Sequence, residues 1–118
     1  RNMSSAASDV YKRQTGSFLA IRKLFGPRDE PYLAFASEGY TLALDFPNRT
    51  GTEALFKKLD DIVLQSGGRL YLTKDARMSR TMFEEGYPQL GLFKAEKKRI
   101  DPENRYTSFQ AERLGLVH

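Results

Sequence analysis

Thr50 to Gly68 reads TGTEALFKKLDDIVLQSGG, and the reading of this stretch sets the frame for the rest of the chain. Leu55, Phe56, Leu59, Ile62 and Val63 recur at helical spacing and form one apolar stripe. Thr50 and Glu53 stand at the spacing of a capping box, in which each side chain satisfies the other's backbone donor. Gly67-Gly68 supplies the left-handed residue that closes such a helix.

On either side of this helix the period changes to two. Tyr40 to Phe46 alternates, with Tyr40, Leu42, Leu44 and Phe46 on one side and Thr41, Ala43 and Asp45 on the other; Pro47 ends the strand. Phe18 to Phe25 (FLAIRKLF), bounded by Gly16 and Gly26-Pro27, predicts an earlier strand with Leu19, Ile21, Lys23 and Phe25 on one face. Gly26 to Pro31 is a turn by composition, and Tyr32 to Phe35 adds a short extended piece. Downstream, Arg69 to Asp75 (RLYLTKD) predicts a third strand, with Leu70, Leu72 and Lys74 on one face and Tyr71 and Thr73 on the other.

The rest is helical. Ser79 caps a short helix that carries Met82 and Phe83 and stops at Gly86. Pro88 opens a second helix with Leu90, Leu92, Phe93 and Ile100, ending before Asp101-Pro102. The tail offers Phe109, Leu114 and Leu116 for packing. Strand, strand, helix, strand, then helices is an α+β order: a small antiparallel sheet backed by a helix and followed by C-terminal helices.

Composition narrows the chemistry. The chain has 118 residues, enough for one small domain or part of a larger one. With no cysteine there is no disulfide framework, thiolate metal site or Cys nucleophile. His118 is the single histidine, so Ser-His-Asp catalysis and His-rich metal sites have almost nothing to build on, and no metal is expected. No apolar run approaches the roughly 18 residues of a membrane helix. Residues 1–14 (RNMSSAASDVYKRQ) show no period and begin with Arg; they resemble a translated sequencing-adaptor remnant of the kind found in metagenomic reading frames, the alternative being a disordered native leader, and on either reading they are set aside from the fold. They hold Arg1, Lys12 and Arg13 against Asp9, so two of the four excess positive charges leave with them, and the nucleic-acid signal is weak.

The residues with chemical promise are few. Lys74 shares a predicted face with two leucines at the carboxyl end of a strand. Its ordinary reading is a side chain that lies along the sheet and reaches water, or pairs with Asp75 or a glutamate. Its functional reading is a fixed cation that stabilises an anionic ring or oxyanion. Lys23 makes a parallel case among Leu19, Ile21 and Phe25, on a strand expected to neighbour that of Lys74. The Thr41-Ala43-Asp45 face is either an exposed sheet surface or the floor of a cleft. Lys57-Lys58 and Lys97-Lys98-Arg99 read as solvated helix faces, and no Walker loop or GxGxxG occurs.

Four strings carry a resemblance: FLAIRKLFGP (Phe18 to Pro27), EGYTLALDFP (Glu38 to Pro47), SGGRLYLTKDARMS (Ser66 to Ser79), and the later KKRIDPENRYTSFQAERLGL. Together they resemble the C-terminal part of FAD-linked oxidases of the vanillyl-alcohol-oxidase type, in the branch of decaprenylphosphoryl-ribose oxidase-like and sugar-lactone oxidases. The resemblance implies a C-terminal fragment of an FAD-dependent oxidoreductase acting on a CH–OH group of a sugar or polyol. Residues 15–76 would be part of a cap or substrate domain, and 77–118 helices that pack on a flavin domain. FAD would be bound mainly by that missing domain, and the fragment alone would be inactive. Residue by residue, Lys74 and Tyr71 match the flavin-side positions of the GRLY-x-x-K motif. Lys23, Lys74, Thr41 and Ala43 match substrate-pocket positions. The mycobacterial enzymes carry Asn and Cys where Thr41 and Ala43 stand, which leaves the substrate open. No catalytic base is assigned. The expected partners are a small-molecule substrate and the flavin domain, in a cytoplasmic or membrane-peripheral setting. The alternative is a non-catalytic α+β binding module, with nucleic acid as its partner.

Overall fold

Alternating side chains form the two predicted strands, Leu19–Phe25 (β1) and Gly39–Asp45 (β2), which pair with each other as a hairpin and not with the segment of Lys74. The two strands are antiparallel, with Leu19 opposite Asp45, Ile21 opposite Ala43, Lys23 opposite Thr41 and Phe25 opposite Gly39. The computed structural model describes residues 19–118, so the expectations for residues 1–14 and for Phe18 lie outside it. After the hairpin come α1 (Thr52–Gln65), a 3₁₀ turn (Leu72–Lys74), α2 (Arg80–Gly86), α3 (Leu90–Ile100) and α4 (Phe109–Arg113). The class is α+β.

The described residues form two compact units. One holds the chain up to Asp29 together with Ala36–Gly68; the other holds Glu30–Phe35 with Arg69–His118. In the first, Leu55 is buried and Phe56, Leu59, Ile62 and Val63 are half-buried, so the stripe faces inward as its spacing requires. Phe56 meets Phe46 edge-on at 5.7 Å between ring centroids. The helix closes on Gly67 at φ +72, where the Gly67 amide donates to Leu64 and the Gly68 amide to Val63. That paired reach-back is a Schellman motif, which needs the left-handed residue.

The start of α1 differs from the capping box. Gly51, not Thr50, is the N-cap, and no side chain caps the helix. The Thr52 hydroxyl instead donates to the Pro47 carbonyl at 2.9 Å and accepts from the Arg49 amide at 3.1 Å. With Gly51 at φ +91, the helix begins later than a box of Thr50 and Glu53 requires.

The third strand is absent among the described residues. Arg69–Asp75 is an approach to the 3₁₀ turn at Leu72–Lys74, and it joins no sheet. Alternation over so few residues does not force a ladder when polar partners elsewhere take the backbone groups. Tyr32 to Phe35 is likewise a turn, closed by the Ala34 amide on the Pro31 carbonyl at 2.9 Å.

The second unit carries the best-buried core: Met78, Met82, Phe83, Tyr87, Leu90 and Leu114. Ser79 caps α2 by accepting from the Met82 amide, as predicted. Pro88 precedes the Gln89 cap of α3 and does not stand within the helix. In the tail Leu114 is fully buried, but Phe109 is 93% exposed and adds little to the packing of its unit.

Candidate functional site

Pleating places Lys23, Thr41 and Ala43 on one face of the hairpin, with Lys23 and Thr41 as direct cross-strand partners. Ile21 stands opposite Ala43 on that face, and the other face holds Arg22, Leu24, Tyr40 and Leu42. There the Arg22 guanidinium lies 5.1 Å from the Tyr40 ring centroid. The two faces therefore differ in chemistry. One carries the Lys23 ammonium beside Thr41 and between Ile21 and Phe25 of its own strand, and the other an arginine bound to an aromatic ring. Lys23 and Ala43 are exposed, and Thr41 is half-buried.

Tyr71 and Lys74 belong to the other unit. The strand geometry expected for Lys74 does not occur; it ends the 3₁₀ turn and is exposed. Tyr71 leads into that turn. Its ring leans on Phe35 at 4.9 Å between centroids, and it keeps 44% of its surface exposed. Nor does Lys74 pair with Asp75. The Asp75 carboxylate is engaged by Arg113 at 2.6 Å, by Gln110 at 3.3 Å, and by the backbone amides of Arg77 at 2.9 Å and Met78 at 2.6 Å. Burial alone raises its pKa, but the Arg113 hydrogen bond and the two amides outweigh it and hold the carboxyl below its ordinary value.

Behind the turn, the Tyr87 hydroxyl donates to the Leu70 carbonyl. Burial pushes that hydroxyl up to about 12, so it stays a donor. Arg69 donates to the Ala34 carbonyl at 2.7 Å, pairs with Glu30 at 3.4 Å, and lies over the Tyr87 ring. Arg69, Asp75, Gln110 and Arg113 are the residues that sequence reasoning missed. Their partners are 35 to 38 positions apart for the Arg69–Ala34, Gln110–Asp75 and Arg113–Asp75 contacts, and no local spacing betrays such pairs.

In the basic cluster on α3, Lys98 and Arg99 are exposed as a solvated face requires, but Lys97 is not. The Lys97 side chain is 14% exposed, with its ammonium 2.9 Å from the Asn104 side-chain oxygen and 3.5 Å from Asp101. Arg99 pairs with Glu96 on the surface. Asp101 accepts from the amides of Arg105 and Tyr106, and these bonds, Tyr106 foremost, hold its carboxyl below the ordinary value.

No described helix is long and apolar enough to cross a membrane. The D-arabinono-1,4-lactone oxidase family matches residues 25–114. Decaprenylphosphoryl-beta-D-ribose oxidase of Mycolicibacterium smegmatis is 35% identical over 109 residues, covering 92% of this chain and 24% of its own length. A Streptomyces coelicolor protein described as "Uncharacterized protein in mprA 5'region" is 38% identical over 97 residues, covering 81% of this chain and 26% of its own length. The chain thus spans about a quarter of the curated relatives it matches. The matched region takes in β2, every described helix and the 3₁₀ turn, and the chain belongs to the D-arabinono-1,4-lactone oxidase family.

Proposed function

We propose that this chain is the C-terminal, substrate-side part of an FAD-dependent oxidoreductase that oxidises a CH–OH group of a sugar or polyol. The observation that carries the reading is the hairpin register, which sets Lys23, Thr41 and Ala43 on one face. The name of the Mycolicibacterium relative, an oxidase of a ribose derivative, supports the substrate class.

The residues present suit a flavin. A half-exposed aromatic ring and an exposed ammonium stand three positions apart around a short turn, a combination fitted to a flat ring that gains negative charge. FAD, when bound, would supply the two-electron acceptor that takes the hydride from the carbinol carbon, with the hydroxyl proton passing to solvent as C=O forms. Tyr71 offers its ring face to such a cofactor. Lys74 offers a positive charge that favours the reduced, anionic state and a donor to substrate oxygens. On the hairpin, Lys23 donates to substrate hydroxyls, the Thr41 hydroxyl both donates and accepts, and the methyl group of Ala43 leaves room for a ring.

A nucleic-acid module finds less support. Arg69, Arg80, Arg99, Arg105 and Arg113 are each paired with a carboxylate, so they are poorly placed to hold phosphates.

The test is Lys74→Met in the full-length, FAD-loaded protein. Removing a charge that stabilises the reduced state should slow flavin reduction by substrate about 100-fold. Lys23→Met should raise the substrate KM by about tenfold. Unaltered flavin reduction in Lys74→Met sinks the role given to that lysine.

A further inference from the structure

We infer that α4 positions the turn that carries Tyr71 and Lys74, with Gln110 and Arg113 as positioning residues that act through Asp75 and the Leu72 carbonyl. The inference rests on the flavin-side reading of that turn.

The turn has little to hold it from within. It is three residues long, closed by one bond from the Asp75 amide to the Leu72 carbonyl at 3.2 Å, and it joins no sheet. A single 3₁₀ turn has poor hydrogen-bond geometry and little stability of its own. Its geometry comes from 35 to 38 residues downstream. The Gln110 amide donates to that same Leu72 carbonyl at 2.8 Å and to Asp75. The Arg113 guanidinium spans the next link, donating to Asp75 at 2.6 Å and to the Met78 carbonyl. Asp75, with its side chain 4% exposed, closes the system by accepting the amides of Arg77 and Met78.

These holds are directional. No residue of α4 is buried, and Phe109 lies almost wholly in the open, so the helix does not grip through an apolar face. Its apolar anchor is Leu114, immediately beyond it. Charge-assisted and bidentate bonds fix angle as well as distance, whereas apolar burial fixes neither. A polar clamp is therefore what a side chain needs when its ammonium must meet a reacting system to within a fraction of an ångström.

Two measurements decide the matter. In the 118-residue chain, Gln110→Ala should speed hydrogen exchange of the Asp75 amide at least about tenfold, since it removes the second donor that holds the Leu72 carbonyl. In the full-length, FAD-loaded protein, Gln110→Ala and Arg113→Ala should each lower kcat about five- to tenfold with little change in KM. Arg113→Lys should restore part of the loss. Neither variant should slow the reaction further when Lys74→Met is already present, because a positioning residue loses its effect with its target. An unchanged Asp75 exchange rate overturns the clamp itself. A lowered melting temperature with kcat intact overturns the positioning role, since it marks a merely structural one. If Lys74→Met is itself without effect while exchange rises as expected, the flavin-side reading fails and the functional part of the inference goes with it, but the clamp stands.

Discussion

The hairpin and the C-terminal unit hold their candidate residues in opposite ways. Leu19, Ile21, Leu24 and Tyr40 of β1 and β2 are between 42% and 67% exposed, and among β1's residues only Phe25 is even half-buried. Met78, Phe83, Tyr87 and Leu114 are at most 1% exposed. Lys23 and Thr41 thus owe their alignment to backbone register. Tyr71 and Lys74 owe theirs to a turn wedged between an aromatic core and a polar clamp. A two-stranded ribbon has marginal stability by itself, while a core with a buried aromatic pair has much to lose.

That contrast breaks most readily at Phe83. Its ring is fully buried and sits 5.2 Å from that of Tyr87, so Phe83→Ala should cost the C-terminal unit about 3–5 kcal/mol, read by denaturant unfolding. An effect below about 1 kcal/mol would remove the distinction between the units.

Acid should come next. Asp75 and Asp101 are both held below the ordinary 3.8, so the folded state binds fewer protons than the unfolded chain. Their stabilisation is fully present above the ordinary value and is lost as pH falls through the lower folded ones. Unfolding midpoints followed downward from about pH 6 should therefore drop below about pH 4, and Asp75→Asn should flatten part of the fall.

A smaller change sharpens the account of α1. Gly67 sits at φ +72, and a methyl group added there would meet open space, so Gly67→Ala should cost about 1 kcal/mol through backbone conformation alone, measured by the same denaturant titration. The smallest effect belongs to the hairpin surface. Leu24 is 67% exposed, and Leu24→Ser should change stability by less than about 0.5 kcal/mol.

How much of this was legible beforehand divides along the same line. Both strands, the stripe on α1, its glycine closure and the Ser79 cap follow from spacings of two to four residues, and the structure contains them all. The cap at Thr50 misled because Gly51 reaches a left-handed conformation that places the helix start one residue later. RLYLTKD misled because alternation describes side chains, whereas a strand also needs a neighbour for its backbone. Here Tyr87 and Gln110 take the Leu70 and Leu72 carbonyls.

The sequence by itself determined the α+β class, the family resemblance, and the shared face of Thr41 and Ala43, since period two is a property of the strand alone. Only the tertiary structure decided that Lys23 faces Thr41, that Lys74 stands on a turn and not a strand, and that Asp75 belongs to Arg113. Cross-strand register and long-range ion pairs depend on which distant groups meet, and the energy that selects them exists only once the chain has closed on itself.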